Sequence, residues 1–131
     1  MLCGAKKGGE SLPRILLVDD ERLLRSILSL AFTRAGYEVM TAADAFEAMA
    51  LCNARAFDAM VADVNMPRMD GHELVRWIAS NYPRIRCVLM SALQTLCDEC
   101  PFQNQCTLLR KPFLMTDVVA LINQMLSERP D

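Results

Sequence analysis

The stretch RILLVDDE, residues 14–21, contains the pattern that decides the fold. Its branched apolar run from Ile15 to Val18 has the length of one buried β-strand, and acidic residues follow it directly. Beyond the acids, apolar side chains recur at helical spacing, namely Leu24, Ile27, Leu28 and Ala31. Gly36 then lies where a helix C-cap belongs. Together these residues predict a strand, an acidic turn and a helix, which is one β-α unit.

The same alternation of short apolar runs and helical stretches continues along the chain, which is typical of a parallel sheet with crossover helices. The predicted strands are residues 14–18, 38–41, 59–62, 87–90 and 107–110. A capping-box pattern at Asp44 and Glu47 starts the second helix, and residues 72–81 form the third. Thr116 is expected to cap the last helix, whereas Pro101, between the fourth and fifth strands, leaves room for at most a short or irregular helix. The predicted fold class is therefore α/β.

Length and composition fit one cytoplasmic domain. A chain of 131 residues corresponds to a single domain, which we expect at residues 14–126 between flexible tails at residues 1–13 and 127–131. We therefore expect no attached effector domain. The apolar content of 53% supports a hydrophobic core, and six cysteines in a chain without a secretion signal indicate a reducing compartment.

The charge distribution argues against two classes of partner. The 14 basic and 16 acidic residues give a net charge of −2, so the chain lacks the basic surface that nucleic acids usually require. Charged residues also interrupt every apolar stretch before the roughly 18 residues that a membrane-spanning helix needs. We therefore expect a soluble protein that binds neither nucleic acid nor membrane by itself.

Polar side chains follow four of the predicted strands. Asp19 and Asp20 follow the first strand, Asp63 the third, Ser91 the fourth and Lys111 the fifth. Ligands of open parallel sheets bind at the carboxyl ends of the strands, so these side chains should converge. Carboxylates packed this closely repel one another and need a cation, and an all-oxygen site of this kind favours Mg²⁺.

The motifs at these strand ends also carry a family resemblance. They are Asp19-Asp20-Glu21, Asp63-Val64-Asn65-Met66-Pro67 with Asp70-Gly71, Ser91-Ala92 and Lys111-Pro112-Phe113. Each would be commonplace alone, as a cap or turn residue, but their combination and order resemble the response-regulator receiver domain of two-component signalling, chemotaxis receivers included. The resemblance covers residues 14–126 and implies a single doubly wound, flavodoxin-like domain. It further implies a five-stranded parallel sheet in the order 2-1-3-4-5 with five flanking helices, of which Pro101 leaves the fourth short or irregular.

The resemblance implies a role for each residue of the site. Asp63 matches the phosphoacceptor, which takes a phosphoryl group from a sensor histidine kinase or a histidine phosphotransfer protein. Asp19, Asp20, Asp63 and the backbone carbonyl of Asn65 would hold Mg²⁺, and Lys111 would pair with the phosphoryl oxygens. Such a domain is a signalling module that assists its own phosphorylation and dephosphorylation, not an enzyme with a separate substrate.

The resemblance also implies how phosphorylation would be read out. Ser91 matches the switch hydroxyl, and a cis Lys111-Pro112 peptide is expected to aim the lysine. Leu108 occupies the position of the usual switch aromatic, so coupling between an aromatic ring and Ser91 is not expected here. Apart from the resemblance, the apolar side chain of Leu93, two residues after Ser91, is expected to shield the acyl phosphate from water. The output would be contact with a downstream protein, and homodimerisation is a further possibility.

An alternative function rests on three cysteines in the irregular fourth unit. Cys97, Cys100 and Cys106 could form a redox pair or contribute to a metal site on a receiver scaffold. A structural zinc site needs four ligands, and only Cys87 or another chain could supply the fourth sulfur. This reading makes the domain a redox or metal sensor.

Overall fold

The computed structural model describes residues 12–91 and 106–128, which form a sheet with helices on both faces. In chain order, the elements are β1 (Arg14–Val18), α1 (Arg22–Arg34), β2 (Glu38–Ala42), α2 (Ala45–Ala54), β3 (Ala59–Asp63), α3 (Gly71–Asn81), β4 (Arg86–Ser91), β5 (Cys106–Arg110) and α4 (Met115–Ser127). The five strands are all parallel and lie in the order β2-β1-β3-β4-β5. This confirms the predicted α/β class and strand order.

The predicted irregular helix between β4 and β5 lies outside the described residues. The described part of the chain accordingly contains four helices where five were expected. The expectations for Leu93, Cys97 and Cys100 also fall outside it, so the redox- or metal-sensing alternative stays a prediction. Among the described helices, none is both long and apolar enough to cross a membrane.

The central strands are buried on both faces, which explains why their sequences read as continuous apolar runs. In β1, Ile15 and Leu17 pack with α1 and α4, whereas Leu16 and Val18 point to the other face and pack with α2 and α3. All five residues of β3 are buried as well. The carboxyl ends of β1 and β3 therefore lie in the middle of the sheet, between two layers of helices.

Most helix ends follow the sequence signals. Gly36, with a φ of 100°, terminates α1 as expected, and the Asp44 carboxylate accepts a hydrogen bond of 2.8 Å from the N–H of Glu47 at the start of α2. The prediction for Thr116 is wrong. The last helix begins at Met115, and the side chain of Asp117 reaches back to accept a 3.2 Å bond from the N–H of Leu114. An acid in the first turn thus replaces the expected cap.

Candidate functional site

The strand ends bring three carboxylates together at one edge of the sheet. Asp19 and Asp20 follow β1, and Asp63 is the last residue of the neighbouring strand β3. One carboxylate oxygen from each of these residues lies within 4.8 Å of the others. We call Asp19, Asp20 and Asp63 the acidic cluster. Its members are those that the sequence predicted to converge.

Asp63 is held on both of its carboxylate oxygens. Its Oδ2 accepts a hydrogen bond of 3.0 Å from Nζ of Lys111, and its Oδ1 accepts one of 3.0 Å from the N–H of Asn65. Only 8% of Asp63 is exposed. The carboxylate therefore has a fixed orientation at the carboxyl edge of the sheet, with the ammonium group of Lys111 beside it.

Lys111 reaches Asp63 from across an intervening strand. The backbone N–H of Lys111 donates a 2.7 Å bond to the carbonyl of Ser91, which prolongs the β4–β5 pairing by one residue. The Lys111-Pro112 peptide is cis, as the family resemblance implies. Lys111 and Ser91 thus lie beside the acidic cluster, where the sequence placed them.

Asp19 is the most buried member of the acidic cluster, with 1% of its surface exposed. Its Oδ1 accepts a 2.7 Å bond from the N–H of Glu21, but its buried Oδ2 has no hydrogen-bond partner among the described residues. Burial raises the pKa of Asp19 to about 6, against the lowering effect of the Glu21 N–H, and the neighbouring Asp63 carboxylate adds to the increase. An unpaired buried carboxylate oxygen is costly, and a hard cation would satisfy it. The donor set therefore fits Mg²⁺.

Ser91 and Leu108 occupy the places expected for the readout of the site. Ser91 is 1% exposed and ends β4, whose Met90 pairs with Asp63. Leu108 is half-buried on β5 and packs against the core on the α2 and α3 side of the sheet. An aliphatic side chain thus occupies the position at which the family that the motifs resemble usually has an aromatic one.

Gly71 proves to be more than a turn residue. A Cβ atom at this position would lie 2.6 Å from the carbonyl oxygen of Asp63 and 2.7 Å from Cδ2 of Leu89. The Gly71 N–H also donates a 2.8 Å bond to the carbonyl of Val64. The loop between β3 and α3 can fold back against Asp63 only because Gly71 has no side chain. The Asp70-Gly71 motif in the sequence was the available signal.

Arg68, in the same loop, was not recognised from the sequence. It has a φ of 71° and forms a 2.9 Å ion pair with Asp44 at the start of α2. Its guanidinium carbon lies 4.7 Å from the centre of the Phe46 ring. No periodic signal connects residues 24 positions apart in the chain, so the pairing becomes visible only in the fold.

The sequence matches the response regulator receiver domain family over residues 15–123. The chain belongs to this family, and it is a receiver domain of the kind found in two-component systems. Fold, site and family match thus agree on the class of protein.

Several curated relatives are response regulators of bacteria. The response regulator protein FleR of Pseudomonas aeruginosa is 39% identical over 79 residues, which cover 60% of this chain and 17% of FleR. The transcriptional regulatory protein PrrA of Mycobacterium tuberculosis is 30% identical over 123 residues, covering 92% of this chain and 53% of PrrA. The chain thus spans about half, or less, of the length of these relatives.

Solved structures match over nearly their whole length. The chemotaxis protein CheY4 of Vibrio cholerae has a TM-score of 0.79 and 29% identity, with 88% of this chain and 99% of that one covered. A CheY-like receiver domain protein of Methanospirillum hungatei JF-1 has a TM-score of 0.84 and 27% identity, with 91% and 97% covered. Both agree with the flavodoxin-like fold described above.

Proposed function

We propose that this domain accepts a phosphoryl group on Asp63 from a phosphohistidine partner in a Mg²⁺-dependent reaction, and that the acyl phosphate changes a protein-binding surface. The observation that carries the proposal is the buried Asp63 carboxylate, held by Lys111 and Asn65 beside Asp19. A nucleophile of this kind needs a fixed direction of attack and nearby positive charge.

In this reaction a carboxylate oxygen of Asp63 forms a bond to phosphorus while the bond from phosphorus to the histidine nitrogen breaks. The imidazole of the donor keeps the electron pair of that bond. The ammonium of Lys111, now on Asp63, turns to the phosphoryl oxygens and offsets their charge. The domain is thus both acceptor and catalyst, and it acts on no separate substrate.

The acidic cluster and the backbone carbonyl of Asn65 would hold the metal. Mg²⁺, when bound, neutralises charge on the transferred group and on the cluster. The Oδ2 atom of Asp19 supports this assignment, because it is buried and has no hydrogen-bond partner among the described residues. Asp20 is exposed and leaves one side of the cluster open to solvent.

The readout would begin at Ser91, whose hydroxyl can donate to the new phosphoryl group and bias the segment that follows β4. With Leu108 on β5 in place of an aromatic residue, the signal would pass through rearrangement of that segment and not through rotation of a ring. The downstream partner would be a protein that recognises the altered surface.

The first helix supplies a docking face for the phosphodonor, either a sensor histidine kinase or a histidine phosphotransfer protein. Leu23, Ile27 and Leu30 are 66%, 42% and 53% exposed, and their spacing places them on one face of α1. We call these residues the α1 face. Helix α1 begins at Arg22, two residues after Asp20, so the end of the α1 face at Leu23 lies near the acidic cluster. A partner seated on the α1 face would have its histidine close to Asp63.

The proposal is tested by intact-mass measurement after incubation with acetyl phosphate and Mg²⁺. The wild-type chain should gain one phosphoryl group, whereas Asp63→Asn should gain none, and EDTA should prevent the gain. Asp70→Asn is the matched control, since Asp70 lies in the same loop but serves as the α3 cap, a role that asparagine retains. An unmodified wild-type chain under both acetyl phosphate and phosphohistidine donors would refute the proposal.

A further inference from the structure

Arg68 adopts a backbone conformation that arginine normally avoids. Its φ of 71° lies in the left-handed region, and it is the one residue other than glycine with a positive φ among residues 12–91 and 106–128. Asparagine, aspartate and glycine enter this region readily, but a long side chain gains nothing from it. A compensating interaction is therefore expected from the side chain of Arg68.

The side chain makes two specific contacts. Its Nη2 donates a 2.9 Å bond to Oδ2 of Asp44, and the guanidinium lies over the ring of Phe46. Asp44 is itself fixed, because its Oδ1 accepts the N–H of Glu47, and this bond holds the pKa of Asp44 below its usual range. The Arg68 side chain is still 64% exposed, so burial does not account for its conformation.

The two segments that Arg68 joins lie on opposite sides of β1 in the sheet. Asp44 comes after β2, and Arg68 lies in the loop after β3, while β1 runs between these strands. The end of β2 is in contact with the acidic cluster, since the N–H of Asp19 donates a 3.1 Å bond to the carbonyl of Ala42. The loop that carries Arg68 also carries Asn65, which binds Asp63.

We propose that Arg68 is a positioning residue for the cation site, and that its contacts with Asp44 and Phe46 hold the loop of residues 64–70 so that the Asn65 carbonyl faces the acidic cluster. This inference rests on the proposed function. Arg68 itself would touch neither the metal nor the phosphoryl group, because its guanidinium contacts Asp44 and Phe46. Its guanidinium is engaged by α2, which distinguishes it from an arginine that awaits an anionic substrate.

The sign of the effect separates positioning from simple electrostatics. Replacing Arg68 by asparagine removes a positive charge from the loop that carries Asn65, which by itself would leave Mg²⁺ binding unchanged or strengthen it. Loss of positioning would weaken it. Asparagine also tolerates the left-handed backbone, which offsets the lost contacts of Arg68, so the stability of the fold should stay close to that of the wild type. Asp44→Asn keeps the α2 cap while removing the ion pair.

The experiment is calorimetric titration of Mg²⁺ into the wild type, Arg68→Asn, Asp44→Asn and the double variant, with thermal unfolding of each. We expect Kd to rise about threefold to fivefold in either single variant and no further in the double variant, as for an exposed ion pair. Arg68→Lys should recover part of the loss, because lysine keeps the charge but lacks the planar group. The matched control is Glu38→Gln, which breaks the 3.3 Å ion pair with Arg14 at the opposite end of the sheet and should leave Kd unchanged.

Phosphorylation by acetyl phosphate at limiting and saturating Mg²⁺ gives the second readout. The rate in Arg68→Asn should fall at limiting Mg²⁺ and return at saturation. An unchanged or lower Kd in Arg68→Asn, additive effects in the double variant, or a wild type that binds no Mg²⁺ would each overturn the positioning role. A wild type that binds Mg²⁺ with the expected pattern of variants, yet is never phosphorylated, would instead refute the proposed function alone.

Discussion

Asp63 and Asp19 are neighbouring carboxylates in different environments. Both carboxylate oxygens of Asp63 accept a hydrogen bond, one from Lys111 and one from the N–H of Asn65, and these donors stabilise its negative charge. Asp19 is buried more deeply, but one of its oxygens has no hydrogen-bond partner among the described residues. The environment of Asp63 suits a nucleophile held in a fixed orientation, whereas the environment of Asp19 suits a ligand of a cation.

The burial of Asp19 predicts a pH dependence of stability. Its pKa is raised from 3.8 to about 6 in the folded chain, so the folded state binds a proton more tightly than the unfolded state does. The contribution of this protonation to the free energy of unfolding is fully present below the pKa of Asp19 in the unfolded chain, and it is lost as the pH rises through about 6. In EDTA, the free energy of unfolding should therefore be about 2–3 kcal/mol lower at pH 7 than at pH 4 on account of Asp19.

Urea denaturation in EDTA across this pH range measures the effect. The Asp19→Asn variant, which cannot ionise at this position, should lose that part of the pH dependence and be more stable than the wild type at pH 7. Added Mg²⁺ should stabilise the wild type more at pH 7 than at low pH, because it binds the ionised carboxylate. Parallel pH profiles for the two proteins would contradict this account of Asp19.

The loop between β3 and α3 depends on close approach of its backbone to Asp63. Gly71→Ala places a methyl group against the Asp63 carbonyl and Leu89, which should lower the free energy of unfolding by about 1–3 kcal/mol. Because the clash involves Asp63 itself, phosphorylation by acetyl phosphate should also slow. Urea denaturation and the initial rate of mass gain measure the two effects.

Gly36 is the matched comparison for Gly71. A Cβ at Gly36 meets nothing within 4 Å, but the φ of 100° is unfavourable for alanine, so Gly36→Ala should cost about 1 kcal/mol through the backbone alone. Its phosphorylation rate should match that of the wild type. Equal rates in both glycine variants would show that Gly71 has no particular relation to the site.

The site residues at strand ends could be predicted because a parallel sheet fixes their position. Once Ile15 to Val18 and residues 59–62 are recognised as buried parallel strands, Asp19 and Asp63 must emerge at the same edge. The contact between Arg68 and Asp44 could not be predicted in this way, since it depends on loop conformation and leaves no periodic trace. The start of the last helix was ambiguous from the sequence, because Thr116 and Asp117 are adjacent and either side chain can stabilise a helix start. In the structure, the Asp117 carboxylate accepts the hydrogen bond from the N–H of Leu114.

At the scale of the whole domain, the proposed chemistry and the proposed recognition of a donor lie on different surfaces. The acidic cluster lies at the edge of the sheet, whereas the α1 face is an exposed apolar surface beside it. Helix α1 carries Arg22, Arg25 and Arg34 and no acidic residue. A partner with an apolar helix flanked by acids would complement it.

Substitution of Leu23 and Ile27 by glutamate should therefore separate the two activities. Phosphorylation by acetyl phosphate should stay at the wild-type rate, because neither residue belongs to the acidic cluster. Transfer from a phosphorylated histidine phosphotransfer protein that serves the wild type should slow by about tenfold or more, since interface anchors carry most of the binding energy. Leu12→Glu, at a similarly exposed leucine before β1, is the control. Equal loss with both donors would place the defect in the site itself.

The central claim, that Asp63 becomes an acyl phosphate, is tested most directly by reductive trapping. After incubation with acetyl phosphate and Mg²⁺, borohydride should reduce the phosphorylated carboxyl to an alcohol and release phosphate, leaving homoserine in place of the aspartate. Peptide sequencing by mass spectrometry should find homoserine at position 63 and at no other acidic residue. Homoserine at Asp19, Asp20 or elsewhere, or its absence from the whole chain, would contradict the account.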